Sequence, residues 1–362
     1  QGVSNTLIGG FSGGGATFTG SSNTAVGRNS LYVNTSGGNN TAIGAQALTA
    51  NTSGGNNTGL GSYALASNTT GSANTAVGND CMDSVTTGGS NTAVGVDALQ
   101  ANTTANNNVA IGANTLQDNT TGGPNTAVGK GAMASNTTGS NNNCLGFEAL
   151  VANTTGTHNT AVGRFALGSN TTGTYNTAVG DGALDANTTA SSNVAMGSGA
   201  LGATTTGSSN IGIGPSAGAS HTTAAGGVYI GQVAGYNSNA INTCIGYASA
   251  YSGNGSTSLT TGGGNTLIGA YTGVAAATNH STVILGHNAT GKGSATGFIN
   301  PTSGVYQGNN ASAWSQTSDR RLKKNITDSS IGLAEINQLK VRNFEYKTKD
   351  DLSEIESDGL VE

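Results

Sequence analysis

The chain has 362 residues, of which 60 are Gly and 3 are Pro, and only 8% are charged, where ordinary soluble domains have about 25%. No Gly-X-Y period is present, which excludes collagen, and no run of roughly 18 apolar residues, which excludes a membrane-spanning helix. The net charge of −5 provides no basic surface, so we expect neither a nucleic-acid partner nor membrane insertion. Large aliphatic side chains are too few for an ordinary enzyme core, so we expect no cofactor.

One motif, Asn-Thr-Ala-Val-Gly with close variants, recurs through the first 290 residues. Its Gly returns every 17 residues from Gly27 to Gly231 without a slip, and looser copies end at Gly9, Gly246, Gly269 and Gly286. Fixed residue types accompany this Gly: Asn four before it, Ala two before, Val or Ile directly before, Leu or Met four after and a second Asn seven after. A fixed period of this kind is typical of a repeat architecture.

Each 17-residue unit is too short for a helical hairpin and contains one short β-type segment, Thr-Ala-Val. Asn-Thr-Thr-Gly is turn chemistry, and Ala-Leu is interpreted as a second strand or a tight turn. Because one unit cannot bury its few apolar atoms alone, we expect the units to stack about 4.8 Å apart. The sequence therefore predicts an all-β protein: a parallel β-solenoid or β-roll over residues 1–290, with the Asn columns forming amide ladders.

The apolar columns predict how the coils pack. We expect the Val/Ile and Leu columns to form a thin continuous core. The Ala column should then face the other way, because neighbouring residues in a strand alternate between faces. A small apolar column on a second face favours contact with another chain, and three-fold assembly into a homotrimer is the expected solution.

The repeats resemble the head repeats of trimeric autotransporter adhesins, which are left-handed parallel β-rolls with a shorter repeat. The 17-residue form is similar to that of phage tail fibres. The resemblance covers nearly the whole repeat region, from Asn5 onward. It implies an elongated extracellular fold and is shared by fibres and adhesins.

Three patterns suggest other functions. Asn-Thr-Thr and Asn-Thr-Ser are formal N-glycosylation sites, but turn and ladder chemistry requires Asn there in any case. Thr columns on a solenoid can bind ice, yet here Thr stands mostly in a turn beside Asn and Gly. Asp80 and Asp97 share one column, near the carboxylate spacing of retaining glycosidases, but the same column holds Asn29 and Gln46 and is interpreted as solvent-facing.

The Cys and His residues suggest no cross-link or metal centre. Three Cys replace Ala in small-residue columns and are interpreted as buried small side chains rather than a disulfide framework: Cys81, Cys144 and Cys244. No His-x-His pair occurs among the four His, so we expect no metal site, although one His per chain around a trimer axis remains the alternative: His158, His221, His280 and His287.

The end of the repeat region has a different pattern. Between Gly231 and Gly269 the interval first shortens and then lengthens, and half of all ten Tyr lie nearby: Tyr229, Tyr236, Tyr247, Tyr251 and Tyr271. Exposed Tyr often contacts sugars or proteins, because it is amphipathic and loses little rotamer entropy. These five residues are therefore receptor-contact candidates, and the alternative is that they cap a widening end of the roll.

Charge separates the last 45 residues from the rest. Residues 1–317 hold 4 Lys or Arg and 7 Asp or Glu, whereas residues 318–362 hold 8 and 10. We interpret residues 291–317 as a connector and place a domain boundary before Ser318.

The motif that follows, Ser318-Asp319-Arg320-Arg321-Leu322-Lys323, resembles the start of the intramolecular chaperone domain of endosialidases and phage tail fibres. The resemblance implies that this domain trimerises the fibre and then cuts itself off before the Ser. By position, Ser318 is the nucleophile on the Thr317 carbonyl and Lys323 the base, chemistry that a desolvated Lys can support. Residues 331–339 look like the first helix of that domain and residues 341–346 like the strand after it, so the resemblance implies that residues 318–362 are its first, mixed α/β part. The alternative for 320–324 is a solvated basic run.

Together these patterns predict a homotrimeric phage tail fibre that attaches a virion to its host cell. Its partners would be a glycan or protein receptor on the host, and other tail proteins through an N-terminal part that precedes Gln1. Apart from a single self-cleavage we expect no enzyme activity. A bacterial trimeric surface adhesin is the alternative, and an ice-binding solenoid is less favoured.

Overall fold

The computed structural model describes residues 2–15, 17–251 and 257–300, together with the backbone of 305–307 and 315–316. The chain divides after Thr317 into two units, and all described residues belong to the first. Within the described part of the chain, no helix is long and apolar enough to cross a membrane.

The described residues form one sheet of short strands. Eighteen of them follow each other in parallel pairing: β1 (Thr6–Ile8), β2 (Thr24–Val26), β3 (Thr41–Ile43), β4 (Thr58–Leu60), β5 (Thr75–Val77), β6 (Thr92–Val94), β7 (Val109–Ile111), β8 (Thr126–Val128), β9 (Asn143–Leu145), β10 (Thr160–Val162), β11 (Thr177–Val179), β12 (Val194–Met196), β13 (Ile211–Ile213), β14 (Val228–Ile230), β15 (Asn242–Ile245), β16 (Asn265–Ile268), β17 (Val283–Gly286) and β18 (Gly297–Asn300). Two more pair antiparallel after them: β19 (Val305–Gln307) and β20 (Ser315–Gln316). The predicted all-β parallel solenoid is confirmed.

Successive strands stack in register, one coil per repeat. Val26 pairs with Ile43, and Ile43 pairs with Leu60, as the column alignment predicts. Seventeen steps of about 4.8 Å between eighteen strands give a stack roughly 80 Å long. The last parallel strand, β18, lies within residues 291–317, the segment interpreted as a connector.

The core consists of the Ala and Leu columns. Ala25 and Ala42, at the strand centres, are fully buried, and so are Leu31 and Leu48 from the segment after the corner Gly. The residue directly before that Gly faces outward and is half-buried or exposed; Ile43, for example, is 38% exposed. The expectation that the Val/Ile column lies in the core and the Ala column outside is therefore wrong.

In the regular coils the strand has room inside for only a small side chain. Gly59 stands in the Ala column, and a Cβ added there would lie 3.2 Å from the carbonyl oxygen of Ala64 and 3.6 Å from Leu48 Cγ, so one methyl group already fits tightly. Larger residues occupy this column only towards the end of the stack, where Tyr229, Leu267 and Ile284 are buried. In the regular coils the strand therefore points its larger residue outward.

The Ala-Leu segment is a tight turn rather than a second strand. Its Leu residues adopt left-handed backbone angles, with φ of 51° at Leu48 and 56° at Leu65, a conformation that is unusual for a bulky side chain. Coil-to-coil hydrogen bonds hold it: Leu48 N donates to Ala64 O over 3.0 Å, and Leu65 N to Cys81 O over 3.0 Å. Each coil is thus bonded to the next through this turn as well as through the strand.

The corner Gly of each coil has no room for a side chain. Gly95 has a φ of 145°, and a Cβ there would lie 2.3 Å from the carbonyl oxygen of Gly112 in the next coil. Both the backbone angle and the close approach require Gly, which explains why this position has the most regular spacing in the sequence.

The first Asn column, four residues before the corner Gly, forms a buried ladder. The side-chain oxygen of Asn23 accepts the backbone N–H of Asn40 over 2.9 Å, and the amide of Asn40 donates to the carbonyl oxygen of Gly54 over 2.9 Å. The same bonds recur from coil to coil. The predicted amide ladder is confirmed.

The second Asn column is also a ladder, but it has breaks. Asn51 Nδ2 donates to Asn34 Oδ1 over 2.8 Å, and this bond is lost where Val85 and Thr204 replace Asn. Among the described residues, two buried side-chain oxygens have no hydrogen-bond partner, and each lies one coil before a break: those of Asn68 and Asn187. Each break therefore leaves one buried acceptor unsatisfied.

Candidate functional site

The residues predicted to carry self-cleavage, Thr317, Ser318 and Lys323, lie outside the described residues. Their roles stay predictions. The sites that can be described are therefore surfaces and buried clusters of the solenoid.

The outward-facing column before the corner Gly forms a continuous apolar stripe. It begins at Ile8, which is 58% exposed, passes Leu145 at 52%, and is still 40% exposed at Ile268. Thr residues accompany it two positions earlier in most strands. An exposed apolar surface of this length is typical of a protein-protein interface.

The five Tyr candidates separate into three environments. Tyr229 is fully buried in the Ala column, so as a receptor-contact candidate it is wrong. Tyr236 and Tyr251 are half-buried and pack edge to face, with ring centroids 5.5 Å apart. Tyr247 and Tyr271 are exposed, at 45% and 37%. Of the five, these last two are the ones open to a ligand from outside.

Tyr229 is buried because Gly replaces Leu in the neighbouring coils. In this part of the stack Gly218 and Gly235 occupy the Leu column. A Cβ on Gly218 would lie 2.6 Å from Tyr229 Cδ2, and one on Gly235 would lie 2.1 Å from Tyr229 Cδ1. The large ring thus fills the volume of two missing Leu side chains. The change from Leu to Gly in that column is a sequence signal that could have revealed this inward position.

The Tyr229 hydroxyl belongs to a buried polar cluster. It donates to Ala240 O over 2.7 Å and lies 3.2 Å from His221 Nδ1 and 3.3 Å from Ser238 Oγ. His221 and Ser238 continue the second Asn column, and Asn242 donates to Ser238 Oγ over 3.0 Å. The cluster replaces the Asn ladder at the coils where the regular period ends.

His221 has a carbonyl oxygen at each ring nitrogen. Nε2 donates to Ala224 O over 2.7 Å, and Nδ1 lies 3.2 Å from Ser238 O. Burial lowers the pKa of His221, while the bonds to these two carbonyls oppose that shift. The ring therefore favours its neutral form more than a solvated His does.

A row of exposed rings continues from Tyr247 along one edge of the solenoid. Tyr271 lies 5.2 Å from Tyr247, with an interplanar angle of 74°, and 6.0 Å from His287, with an angle of 88°. The sequence suggested His287 only as a metal ligand. Its place beside the two Tyr rings could have been found from the column alignment, since it directly follows a corner Gly.

A second group of aromatic residues, of which Phe147 is exposed and Phe165 half-buried, lies in the middle of the stack, and sequence analysis missed it. Phe147 packs edge to face on Phe165, with centroids 5.7 Å apart, and the guanidinium of Arg164 lies 5.2 Å from the centre of the Phe165 ring. Arg164 also donates to both carboxylate oxygens of Asp181 over 3.1 Å. Ion pairing and ring stacking engage the guanidinium on two sides.

The remaining chemical alternatives find little support in the described coils. The Asp80 carboxylate accepts a hydrogen bond from the side-chain amide of Asn79. The first Thr of each turn donates from coil to coil, as Thr52 Oγ1 does to Thr69 O over 3.0 Å, so its hydroxyl is used within the stack. No group of three or more potential metal ligands is present among the residues that the structure describes.

The three Cys are free and buried, as expected for small interior side chains. Burial raises the pKa of Cys81 to about 12, and that of Cys144 and Cys244 likewise. Thiols of this kind are not reactive.

Comparison with known proteins identifies the C-terminal segment. Residues 318–359 match the family model Peptidase_S74, described as chaperone of endosialidase. Peptidase_S74 is a family of self-cleaving chaperone domains. No curated protein and no solved structure matched the chain.

Proposed function

We propose that the chain forms the shaft and tip of a homotrimeric tail fibre, which attaches a virion to the surface of its host cell. The match of residues 318–359 to the endosialidase chaperone carries this proposal. A solenoid of in-register coils supplies an elongated body with few charges, which is consistent with a fibre. Other tail proteins of the virion would hold the fibre.

An experiment on virions tests the attachment role. Antibodies raised against the solenoid should label virion tails in immuno-electron microscopy, and the purified protein should bind host cells and reduce infection. Labelling of a bacterial surface in the absence of virions would instead support the alternative of a trimeric adhesin, and would overturn the tail-fibre proposal.

The apolar stripe before the corner Gly supports trimer assembly. We propose that this stripe packs against the equivalent stripes of two further copies, because burying it removes apolar surface from water along the whole stack. Ile111 and Leu145, at 41% and 52% exposed, are two of its exposed members in the middle of the stack.

Sedimentation tests the trimer. The wild-type protein should sediment as three chains, each of 35.2 kDa before any cleavage, and Ile111→Lys with Leu145→Lys should weaken the assembly. The matched control is Thr70→Lys with Thr104→Lys, which adds the same charges at exposed turn positions away from the stripe. A stable, folded monomer of the wild-type protein would contradict the proposal.

We further propose that the chain is cut between Thr317 and Ser318. Ser318 Oγ attacks the Thr317 carbonyl carbon, its proton passes through the Lys323 amine to the departing amide nitrogen, and water hydrolyses the resulting ester. The nucleophile and the carbonyl belong to adjacent residues, so proximity removes much of the cost of bringing them together. Lys323 must be neutral to act, which requires desolvation in the assembled protein.

Intact-mass spectrometry of the protein expressed from its complete gene tests the cut. The wild-type product should end at Thr317. Ser318→Ala should keep the segment attached while the trimer still forms, and Lys323→Ala should slow or stop cleavage. An uncut wild-type chain in a fully assembled trimer would show that the chaperone acts here without cleavage.

A further inference from the structure

Two exposed aromatic rings are stacked face to face in the middle of the solenoid. The imidazole of His158 and the phenol ring of Tyr175 have centroids 4.7 Å apart and an interplanar angle of 15°. Their residues occupy the same turn position in successive coils, since Tyr175 N donates to Thr157 O over 3.1 Å. The ring separation nearly equals one coil step of about 4.8 Å, so the two rings stack along the long axis of the molecule.

The second face of the Tyr175 ring is open. His158 covers one face, yet Tyr175 remains 61% exposed, which leaves the opposite face accessible. The coil-to-coil hydrogen bonds place the next three coils on that side, and each has a small, exposed residue at the same turn position: Ser192, Ser209 and Gly226. The space beyond the ring is therefore bordered by short side chains only.

The surroundings of the open face favour a neutral ligand with hydroxyl groups. No Asp, Glu, Lys or Arg occurs in the turn segments of these coils, which are 153–160, 170–177, 187–194 and 204–211. Ser191 Oγ and Ser208 Oγ accept backbone N–H groups of the preceding coil, over 3.0 and 3.1 Å. The hydroxyls of Ser192 and Ser209 make no hydrogen bond to the protein within the described coils. These two hydroxyls are available to a ligand that lies on the ring.

A hexose matches an open ring beside two available hydroxyls. The C–H face of a sugar packs on an aromatic face at about 4 Å, while its hydroxyls point to polar groups at the rim. A peptide finds little apolar surface here, because the other residues of these turns are mostly Thr, Ser, Asn and Gly. A nucleotide finds no basic side chain in these turns for its phosphate.

We propose that the open face of Tyr175 binds a hexose at the end of a neutral glycan, with the hydroxyls of Ser192 and Ser209 bonding to the sugar's rim. The proposal rests on the attachment role above and specifies its receptor class. His158 is a positioning residue, because its ring supports the other face of Tyr175. One site binds weakly, since a single sugar buries little apolar area, and three copies in a trimer raise the apparent affinity by avidity.

Glycan binding by the intact protein tests the proposal. The probes are oligosaccharides of equal length that end in glucose, galactose, mannose or N-acetylglucosamine, with one that ends in sialic acid as the charged comparison. At least one neutral probe should bind, and the sialic acid probe should not. Tyr175→Ala should weaken binding about tenfold, the loss expected for one stacking contact.

Ser192→Leu keeps both rings but places an aliphatic side chain against the open face, so it should weaken binding as much. Ser192 has a φ of 61°, a backbone angle close to the 56° that Leu65 adopts in this solenoid. His158→Ala should weaken binding less than Tyr175→Ala does, and His158→Phe should restore it, because Phe keeps the stack. An equal loss in both His158 variants would overturn the positioning role.

Tyr63→Ala is the matched control, because it removes an exposed Tyr ring, at 40%, from a distant coil. It should leave glycan binding unchanged, and circular dichroism verifies that each variant is folded. Tyr175 should be open to nitration in the assembled protein, mapped by mass spectrometry, and protected by the bound probe. Failure of every neutral probe to bind, a preference for the sialic acid probe, unweakened binding by Ser192→Leu, or a Tyr175 that resists nitration without glycan would overturn the proposal.

Cell binding separates this proposal from the attachment role on which it rests. If Tyr175→Ala and Ser192→Leu still bind host cells as the wild type does, this ring is not the receptor site, although the fibre remains an attachment protein. Host binding that is abolished by removing cell-surface protein and not glycan would identify a protein receptor and also refute the glycan site. If the wild type binds no host cells, the attachment role itself fails.

Discussion

Val85→Asn should make the solenoid more stable, although it places a polar side chain in the interior. Val85 is fully buried in the second Asn column, and the side-chain oxygen of Asn68 beneath it has no partner. An Asn at 85 could donate to that oxygen and to Gly88 O, and could accept from Asn102 Nδ2. These are the bonds that intact parts of the ladder make, as between Asn34 and Asn51.

The magnitude follows from two opposing effects. Three new hydrogen bonds contribute about 1 kcal/mol each, since the net value of a buried bond is roughly 0.5–1.5 kcal/mol, so about 3 kcal/mol in all. Losing the buried Val side chain costs about 2 kcal/mol of apolar burial. We therefore expect a gain of about 1 kcal/mol. The reverse change, Asn136→Val, removes the equivalent bonds to Asn119, Gly139 and Asn153 and should cost the same amount.

Amide hydrogen exchange is the suitable assay, because a repeat protein opens locally and a global transition averages over many coils. A gain of about 1 kcal/mol slows exchange in the coils around residue 85 roughly fivefold. Asn136→Val should accelerate exchange around its own coil by a similar factor. If Val85→Asn speeds exchange, apolar packing at the break is worth more than the missing hydrogen bonds, and the reasoning is refuted.

Three further predictions concern the corner, the buried Tyr and the buried His. Gly95→Ala should lower the free energy of unfolding, measured by urea titration, by about 3 kcal/mol or more. Gly182→Ala should lower it by only about 1 kcal/mol, because Gly182 has a φ of 62° and open space around it. Equal losses for the two variants would refute the argument that the corner Gly is required by the close approach of the next coil. Tyr229→Ala should lower the free energy of unfolding by about 3–5 kcal/mol, and adding Gly235→Leu should recover part of that loss. A further loss would show that a Leu side chain at 235 cannot fill the volume left by the Tyr229 ring. Because burial lowers the pKa of His221, the unfolded chain takes up its proton first, so stability should fall as pH drops below 6.5, the ordinary pKa of His. In His221→Asn this dependence, followed by thermal unfolding at several pH values, should flatten, and an unchanged profile would assign it to other groups.

The sequence was sufficient to predict the register of the solenoid but not the direction of its side chains. The constant period aligns Val26 with Ile43 in any coil geometry, so the pairing follows directly. Both the Ala and the Val columns are apolar, however, and alternation alone does not say which one faces inward. In the regular coils that choice depends on the space beside Leu48 and Ala64, which one methyl group fills and which is a property of the folded coil.

The candidate site was predictable in the same partial way. The excess of Tyr near the end of the repeats correctly drew attention to Tyr247 and Tyr271, which are exposed. Tyr229 has the same side chain, yet it lies inside because Gly replaces Leu in the facing column. The position of His287 beside these Tyr rings can be seen in the sequence only after the coils that follow Gly231, which have irregular lengths, are aligned on the corner Gly. The composition shows where aromatic residues are enriched, but the position of each residue within its coil determines whether it is buried or exposed.

The hydrogen bonds between coils run along the long axis of the molecule, and this has a mechanical consequence. A pulling force along that axis breaks the hydrogen bonds of one interface between coils at a time. The stack therefore unfolds coil by coil from one end, and its interfaces do not all break together. Each released coil of 17 residues adds roughly 55 Å of extended chain, at about 3.4 Å per residue. A single chain that is pulled from its ends should therefore lengthen in equal steps. A particle tethered by the chain would lose its load gradually, as coils unfold, and would not detach at once.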